Sequence, residues 1–175
     1  MAFRAENAMA SQEGVLPKSQ LLNAKRLTGR HCRGMFAAMI IPGLRQDAEL
    51  VGGIVFFGRM LDKIRLHAQG KLPADYNRGT GFDRRVCWFL RVGYPALVER
   101  VLAGGRDEEI LEWCFAHGRK PEAEEILVFN AFLLKRGWRD EASAELERMK
   151  RERGFGGRAD VQTMSDFHRA DEESD

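Results

Sequence analysis

Long apolar runs are absent from this chain of 175 residues. The two longest, Met35–Ile41 and Leu50–Phe57, are far shorter than the roughly 20 residues that a membrane-spanning helix needs. No positively charged start leads into an apolar segment with a small-residue cleavage site, so we expect no secretory signal. The pattern predicts a protein that neither spans nor inserts into a membrane.

Cysteine is scarce, with three residues in the whole chain. Cys32, Cys87 and Cys114 are an odd number without paired spacing, which argues against a disulfide framework and favours a reducing compartment, the cytoplasm. Cys114 and His117 are three residues apart and could both contact a metal, but a structural zinc site needs four ligands. We therefore expect no metal and no cofactor, and interpret Cys114 as a small buried apolar residue.

A strong charge of either sign is also missing, since the formal net charge is +2. Its distribution is uneven, because residues 1–34 carry six basic and two acidic residues, which leaves −2 for the rest. This first segment shows no sustained periodicity, so we interpret it as a flexible basic arm or an upstream extension. We expect a linker over residues 35–46 and a helical domain over residues 47–173.

β-Branched residues nowhere alternate over the length of a strand, whereas apolar residues recur at three- and four-residue spacing between glycine and proline stops. Seven segments show this pattern, at about 47–69, 82–92, 95–102, 107–117, 121–134, 140–153 and 160–167. Segment 121–134 opens with a Glu-rich turn and is then apolar nearly all round from Ile126 to Leu134, which is typical of a helix enclosed by others. We therefore predict an all-α fold, a compact bundle of six to seven short helices around this one central apolar helix, with no sheet.

Three features have two interpretations each. Gly52-Gly53, inside the first predicted helix, indicates either a break between two helices or a close crossing by another helix. Asn130, in the central helix, could contact a ligand, but a buried amide is more often satisfied by a neighbouring carbonyl. Trp138 could lock two helices together, which we favour, or form an exposed Trp–Arg pair for a partner.

Several charged strings occur in an order that resembles a known family. They are RMLDKIR at 59–65, GKLPADY at 70–76, GFD at 81–83, GRKP at 118–121, KRGWRDEA at 135–142, and the ending from Asp166-Phe167 to Asp171-Glu172. Over about residues 45–173 the chain resembles an uncharacterised bacterial family known as domain of unknown function 5069. The resemblance implies a small helical bacterial protein. It implies no activity, and no catalytic residue follows from it.

The same strings supply the candidate site, on the first helix and in the loop after it. The candidate ligand-binding residues are Arg59, Asp62, Arg65, Asp75, Tyr76 and Asp83. The three on the helix share one face and form either an anion-binding surface or an intrahelical ion-pair ladder, which we favour. The loop at 79–81 could present backbone amides to an anion, although a structural turn with a helix cap is the favoured interpretation.

No nucleophile, base and orienting group assemble in the sequence, so we predict no catalytic residue. We favour a non-enzymatic binding or protein-interaction module. The alternative is a protein, an enzyme included, that binds a small molecule or anion at the candidate site. Nucleic-acid binding through the basic arm or the second helix is disfavoured, because the folded body is slightly acidic. The residues of that helix would be Arg84, Arg85, Trp88 and Arg91.

Overall fold

The computed structural model describes residues 41–74 and 76–173. The elements are β1 Leu50–Val51, β2 Ile54–Val55, α1 Phe57–Ala68, α2 Gly81–Leu90, α3 Tyr94–Leu102, α4 Asp107–His117, α5 Ala123–Lys135, α6 Ser143–Glu152 and α7 Met164–Glu173. The all-α class is therefore confirmed. The predicted basic arm lies outside the described residues, and of the predicted linker only residues 41–46 are described.

The expectation of no sheet is wrong at one place, because the start of the first predicted helix is a β-hairpin. β1 and β2 pair antiparallel, with Val51 opposite Ile54. The turn is Gly52-Gly53, whose φ angles are 57° and 83°, and a type I′ turn requires positive φ at both positions. A Cβ on Gly52 would also lie 2.2 Å from Leu111 Cδ2 of α4. Turn geometry and a close helix contact therefore both select glycine here.

Helix α1, not α5, lies at the centre of the described domain. Nine of its 12 residues are buried, three of them charged, and it packs against the hairpin, α2 and α3. Helix α5 buries only Phe129 and Leu133 of its 13 residues. The prediction that segment 121–134 is the central helix is therefore wrong. An apolar composition shows what a helix is able to bury, whereas its position depends on the rest of the chain.

Three apolar clusters hold the described helices together. The largest joins the hairpin to α1, α2, α3, α4 and α5, and it includes the buried free thiols of Cys87 and Cys114. A smaller cluster packs α6 against α7, with Leu146 and Phe167 at its centre. A third packs Ile41 against the end of α1. Over residues 41–74 and 76–173, no helix is long and apolar enough to cross a membrane.

Candidate functional site

The first group of charges surrounds Arg59, which is buried where α1 meets α7 and the segment before β1. Arg59 is 2% exposed and is the largest fully buried side chain among the described residues. Its Nε lies 3.1 Å from Asp47 Oδ1, and its Nη1 donates to the main-chain oxygen of Arg45 at 2.6 Å. Its Nη2 donates to the Tyr76 hydroxyl at 2.6 Å and to the Glu172 carboxylate. Every nitrogen of this guanidinium therefore has a partner within the chain.

Asp47 connects the segment before the hairpin to α7. Its Oδ2 accepts a hydrogen bond from Ser165 Oγ at 2.9 Å and lies 2.8 Å from His168 Nδ1. Burial alone would raise the pKa of Asp47, but His168, Arg59 and Ser165 outweigh it and hold the pKa below its ordinary value. Helix α7 is thus attached to the core through charges as well as apolar contacts.

A second buried ion pair joins α1 to α2. Lys63 Nζ lies 2.5 Å from Asp83 Oδ1 and donates to the main-chain oxygen of Asn77 at 3.1 Å. Asp83 Oδ2 accepts the N–H of Gly79 at 2.7 Å. Burial raises the pKa of Asp83 and lowers the pKa of Lys63, against their mutual attraction. Because the loop amide of Gly79 binds an internal carboxylate, the geometry agrees with a structural turn.

A third group of charges, the solvent-facing group, lies at the edge of α1. Its carboxylate Asp62 is buried, whereas the arginines Arg45 and Arg65 are 27% and 30% exposed. Asp62 accepts two hydrogen bonds of 2.7 Å from the Arg45 side chain. Asp107, at the start of α4, lies 2.7 Å from both Arg45 and Arg65.

Within α1 the distance from Asp62 to Arg65 is 3.8 Å. Of the favoured intrahelical ladder, the Asp62–Arg65 pair is therefore present, whereas Arg59 pairs with Asp47 and Glu172 instead of Asp62. The closer partners of Asp62 and Arg65 come from other segments and connect α1 to α4.

The predicted site residues fall into separate groups rather than one. Arg59 contacts Tyr76, whereas Asp83 pairs with Lys63. Of the remaining three, Asp62 and Arg65 belong to the solvent-facing group and Asp75 lies outside the described residues. The buried cations face internal carboxylates, so this arrangement joins helices. An external anion would have to displace one of those carboxylates to reach Arg59.

Sequence reasoning missed Asp47, His168 and Glu172, which complete the surroundings of Arg59. Arg59 and Glu172 are 113 residues apart in the sequence, so no local pattern connects them. One signal was available, since a charged residue on the inner side of a helix requires a counter-charge from elsewhere. The acidic pair Asp171-Glu172 ends the family resemblance and could have been proposed for that role.

The outer face of α5 is apolar and uncovered. Leu127, Val128 and Phe132 are 64%, 62% and 44% exposed, and Trp138, just beyond the helix, is 48% exposed. The helical spacing of residues 127, 128, 131 and 132 places them on one side. We call Leu127, Val128, Ala131, Phe132 and Trp138 the α5 surface.

Asn130 and Phe129 fix the opposite side of α5 against the domain. Asn130 Nδ2 donates to the main-chain oxygen of Gly53 at 2.7 Å, and its Oδ1 accepts the N–H of Val55 at 3.2 Å. Phe129 stacks on Phe89 with ring centroids 4.0 Å apart. The interpretation of Asn130 as an amide satisfied by a neighbouring carbonyl is confirmed. These contacts set the rotation of α5 and leave its apolar face outward.

A shallow groove of about 410 Å³ lies at the C-terminal end of the α5 surface. It is lined by Ala131, Phe132, Lys135, Trp138, Asp140 and Glu141. Arginines lie over its two aromatic rings, Arg136 at 5.6 Å from the Phe132 centroid and Arg139 at 5.3 Å from the Trp138 centroid. The exposure of Trp138 contradicts the favoured interpretation, in which its side chain packs between two helices and holds them together. It agrees with an exposed Trp–Arg pair.

The Cys114–His117 pair shows no arrangement suited to a metal. Cys114 is fully buried, and burial raises the pKa of its thiol to about 12. His117 stacks on Trp113, and its Nδ1 lies 2.9 Å from the main-chain oxygen of Trp113. Over residues 41–74 and 76–173, no three His, Cys, Asp or Glu side chains are grouped so that they could hold a metal ion.

The sequence of residues 41–174 matches the family described as Domain of unknown function (DUF5069). The chain belongs to the DUF5069 family. The match confirms the resemblance found in the charged strings, and it includes the buried network around Arg59 as well as the α5 surface. No curated protein is significantly similar to the chain. Family membership therefore brings no chemistry, and the geometry must carry any functional proposal.

Proposed function

We propose that this DUF5069 protein is a non-enzymatic protein-interaction module that binds its partner through the α5 surface. The observation that carries the proposal is the exposure of four large apolar side chains, Leu127, Val128, Phe132 and Trp138, by 44–64%. Single exposed apolar residues are ordinary on a protein surface, whereas a contiguous apolar patch with a polar rim is typical of an interaction site.

The composition of the α5 surface supports a protein partner. Tryptophan and arginine are enriched among the residues that dominate binding energy at interfaces, and here Arg139 lies over the ring of Trp138. Covering a half-exposed apolar side chain contributes about 1 kcal/mol before the entropic cost of association is subtracted. A partner that covers the whole α5 surface therefore gains several kcal/mol.

The charged network around α1 supports the anion-binding alternative less well. Glu172 and Asp47 face Arg59, and Asp83 faces Lys63. A ligand that replaced Glu172 would break the direct ion pair between α7 and α1 and would leave the Glu172 carboxylate unpaired. Nucleic-acid binding by α2 is also less supported, because residues 35–175 carry a net charge of −2.

We also propose that the protein acts in the cytoplasm of a bacterium. The buried free thiols of Cys87 and Cys114 support a reducing compartment. The bacterial origin is what the resemblance of the charged strings implies.

Photo-cross-linking tests the interaction proposal. A benzophenone amino acid replaces Val128 in the full chain, and the matched control carries it in place of Glu147, which is exposed on α6. After irradiation of the native cells we expect one defined cross-linked species from position 128 and none from position 147. The absence of an adduct at position 128, or the same diffuse adducts at both positions, would contradict the proposal.

A further inference from the structure

We infer that the partner of the α5 surface is a second copy of the same chain, whose α5 packs antiparallel to the first about a two-fold axis. This inference rests on the proposed function and names the partner. Six exposed residues lie on the outer face of α5. They are Glu124, Leu127, Val128, Ala131, Phe132 and Lys135.

The spacing of these six residues is self-complementary. A two-fold axis perpendicular to α5, between residues 129 and 130, exchanges the two halves of the helix. It places each apolar residue of one copy beside an apolar residue of the other, Leu127 beside the partner's Phe132 and Val128 beside the partner's Ala131. Each contact occurs twice, because a two-fold interface uses the same patch on both copies. An unrelated partner would not require this symmetry.

The charged residues at the two ends of this set of six, Glu124 and Lys135, fix the antiparallel direction. The same axis places Glu124 of one copy beside Lys135 of the other, at both ends of the helix pair. Both side chains are exposed, and no described residue forms an ion pair with either of them. An antiparallel pair therefore gains two intermolecular ion pairs, and each helix N-terminus lies near the C-terminus of its neighbour. A parallel pair would place like charges together.

The size of the side chains also suits a helix pair. Val128 and Ala131 lie nearest the axis, so a small residue faces a β-branched one and the helices can approach to about 8–10 Å. Leu127 and Phe132 flank this contact, and Trp138 extends it. With 13 residues in α5, the interface is at the lower end of specific interfaces, about 1,000 Å² in total. We therefore expect a reversible dimer with a Kd of about 1–10 µM.

Sedimentation velocity of the full chain from about 0.1 to about 300 µM, a range that brackets the expected Kd, tests the inference. We expect the mass to rise from 19.9 kDa towards twice that value as the concentration increases. A monomer at every concentration would overturn the inference.

Charge exchange tests the geometry. We expect Glu124→Lys and Lys135→Glu each to weaken the dimer at least tenfold, because each places like charges together at both ends of the helix pair. The double variant E124K/K135E, and an equimolar mixture of the two single variants, should restore the affinity to within about threefold. The matched control is Glu108→Lys, since Glu108 is an exposed glutamate in the first turn of α4. It should leave the dimer unchanged, and thermal melting confirms the folding of each variant.

The outcomes separate the inference from the proposed function. A dimer that both single variants leave intact, or that the double variant fails to restore, overturns the antiparallel α5 pair. A cross-link from position 128 to a different protein, or within a single chain, overturns the second copy as the occupant. A cross-link from position 128 to a different protein would still support the proposed interaction module. If position 128 forms no adduct at all, the inference and the proposed function both fail.

Discussion

Helices α1 and α5 reverse the usual relation between composition and burial. Helix α1 carries Arg59, Asp62, Lys63 and Arg65, yet nine of its 12 residues are buried. Helix α5 is apolar from Ile126 to Leu134 with one polar residue among them, yet only two of its 13 residues are buried. The position of a helix therefore depends on the partners that its side chains find. It does not depend on composition alone.

The two helices also have different roles, α1 in stabilising the fold and α5 in the proposed binding. The charges of α1 are buried because counter-charges from other segments meet them, and this makes α1 the part on which the fold depends. The apolar residues of α5 are exposed because Asn130 and Phe129 fix its other side to the domain. We therefore expect changes in α1 to affect folding and changes on the outer face of α5 to affect binding.

The largest expected effect is that of Arg59→Met. This change keeps much of the side-chain volume but leaves Asp47 and Glu172 without their buried cation, which costs about 3–5 kcal/mol of unfolding free energy. The matched control is Arg65→Met on the same helix, where the arginine is 30% exposed and the cost is about 1 kcal/mol or less. Urea unfolding measures both. Similar losses in the two variants would contradict the distinction between a buried network and a solvent-facing group.

A pair of changes within α5 tests its orientation. Phe129→Ala removes a buried ring that stacks on Phe89 and should cost about 3 kcal/mol. Phe132→Ala removes an exposed ring and should change the unfolding free energy by about 0.5 kcal/mol. The two residues are neighbours on one helix, so differences in helix propensity cancel. If Phe132→Ala were as destabilising as Phe129→Ala in the monomer, α5 would be enclosed, as its composition predicts.

The pH dependence of stability tests the attachment of α7. Because the pKa of Asp47 is lowered in the folded state, its contribution is fully present above the unfolded pKa, about 3.9. That contribution is lost as the pH falls through the lower, folded pKa. Asp47→Asn should cost about 2 kcal/mol at pH 7 and should flatten the fall in stability below about pH 4. The measurement is denaturant unfolding from about pH 3 to pH 7.

Asp83→Asn serves as the matched control for this pH dependence. Burial raises the pKa of Asp83, so the folded state binds the proton of this carboxyl more tightly than the unfolded state does. Its contribution to stability therefore increases as the pH falls through the folded pKa towards the lower, unfolded pKa, opposite to that of Asp47. The two variants should change the acid side of the stability profile in opposite directions. A change in the same direction would contradict the opposite pKa shifts of these two carboxyls.

Local signals predicted the parts of this fold that depend on neighbouring residues. Helix α4 begins at Asp107 and ends at His117 as predicted, because an acidic first turn and a His-Gly stop are readable within a dozen residues. The start of α1 could not be predicted from the local sequence. It follows a hairpin with strands of two residues, too short for alternation, and the residue before it, Phe56, has a φ of 64°.

The candidate site was predictable in the same partial way. The strings around Arg59 and Tyr76 identified two residues that are in contact. Glu172, the carboxylate that pairs with Arg59, lies more than 100 residues along the chain, and only the folded structure brings it close. The α5 surface was mistaken for core, since sequence alone does not distinguish an apolar face that packs inside a domain from one that remains outside.

The smallest effect concerns Asn130, the one polar side chain in the apolar stretch of α5. Asn130→Ala removes the hydrogen bonds to Gly53 and Val55 and should lower the free energy of unfolding by about 1 kcal/mol. Asn130→Asp keeps an acceptor for the Val55 N–H but places a carboxylate oxygen 2.7 Å from the Gly53 carbonyl oxygen, so at pH 7 it should be more destabilising than alanine. Val128→Ala, on the outer face, should stay within about 0.5 kcal/mol of the parent. Urea unfolding of the three variants ranks them, and an aspartate variant as stable as the parent would show that the Asn130 amide does not hold α5 to the hairpin.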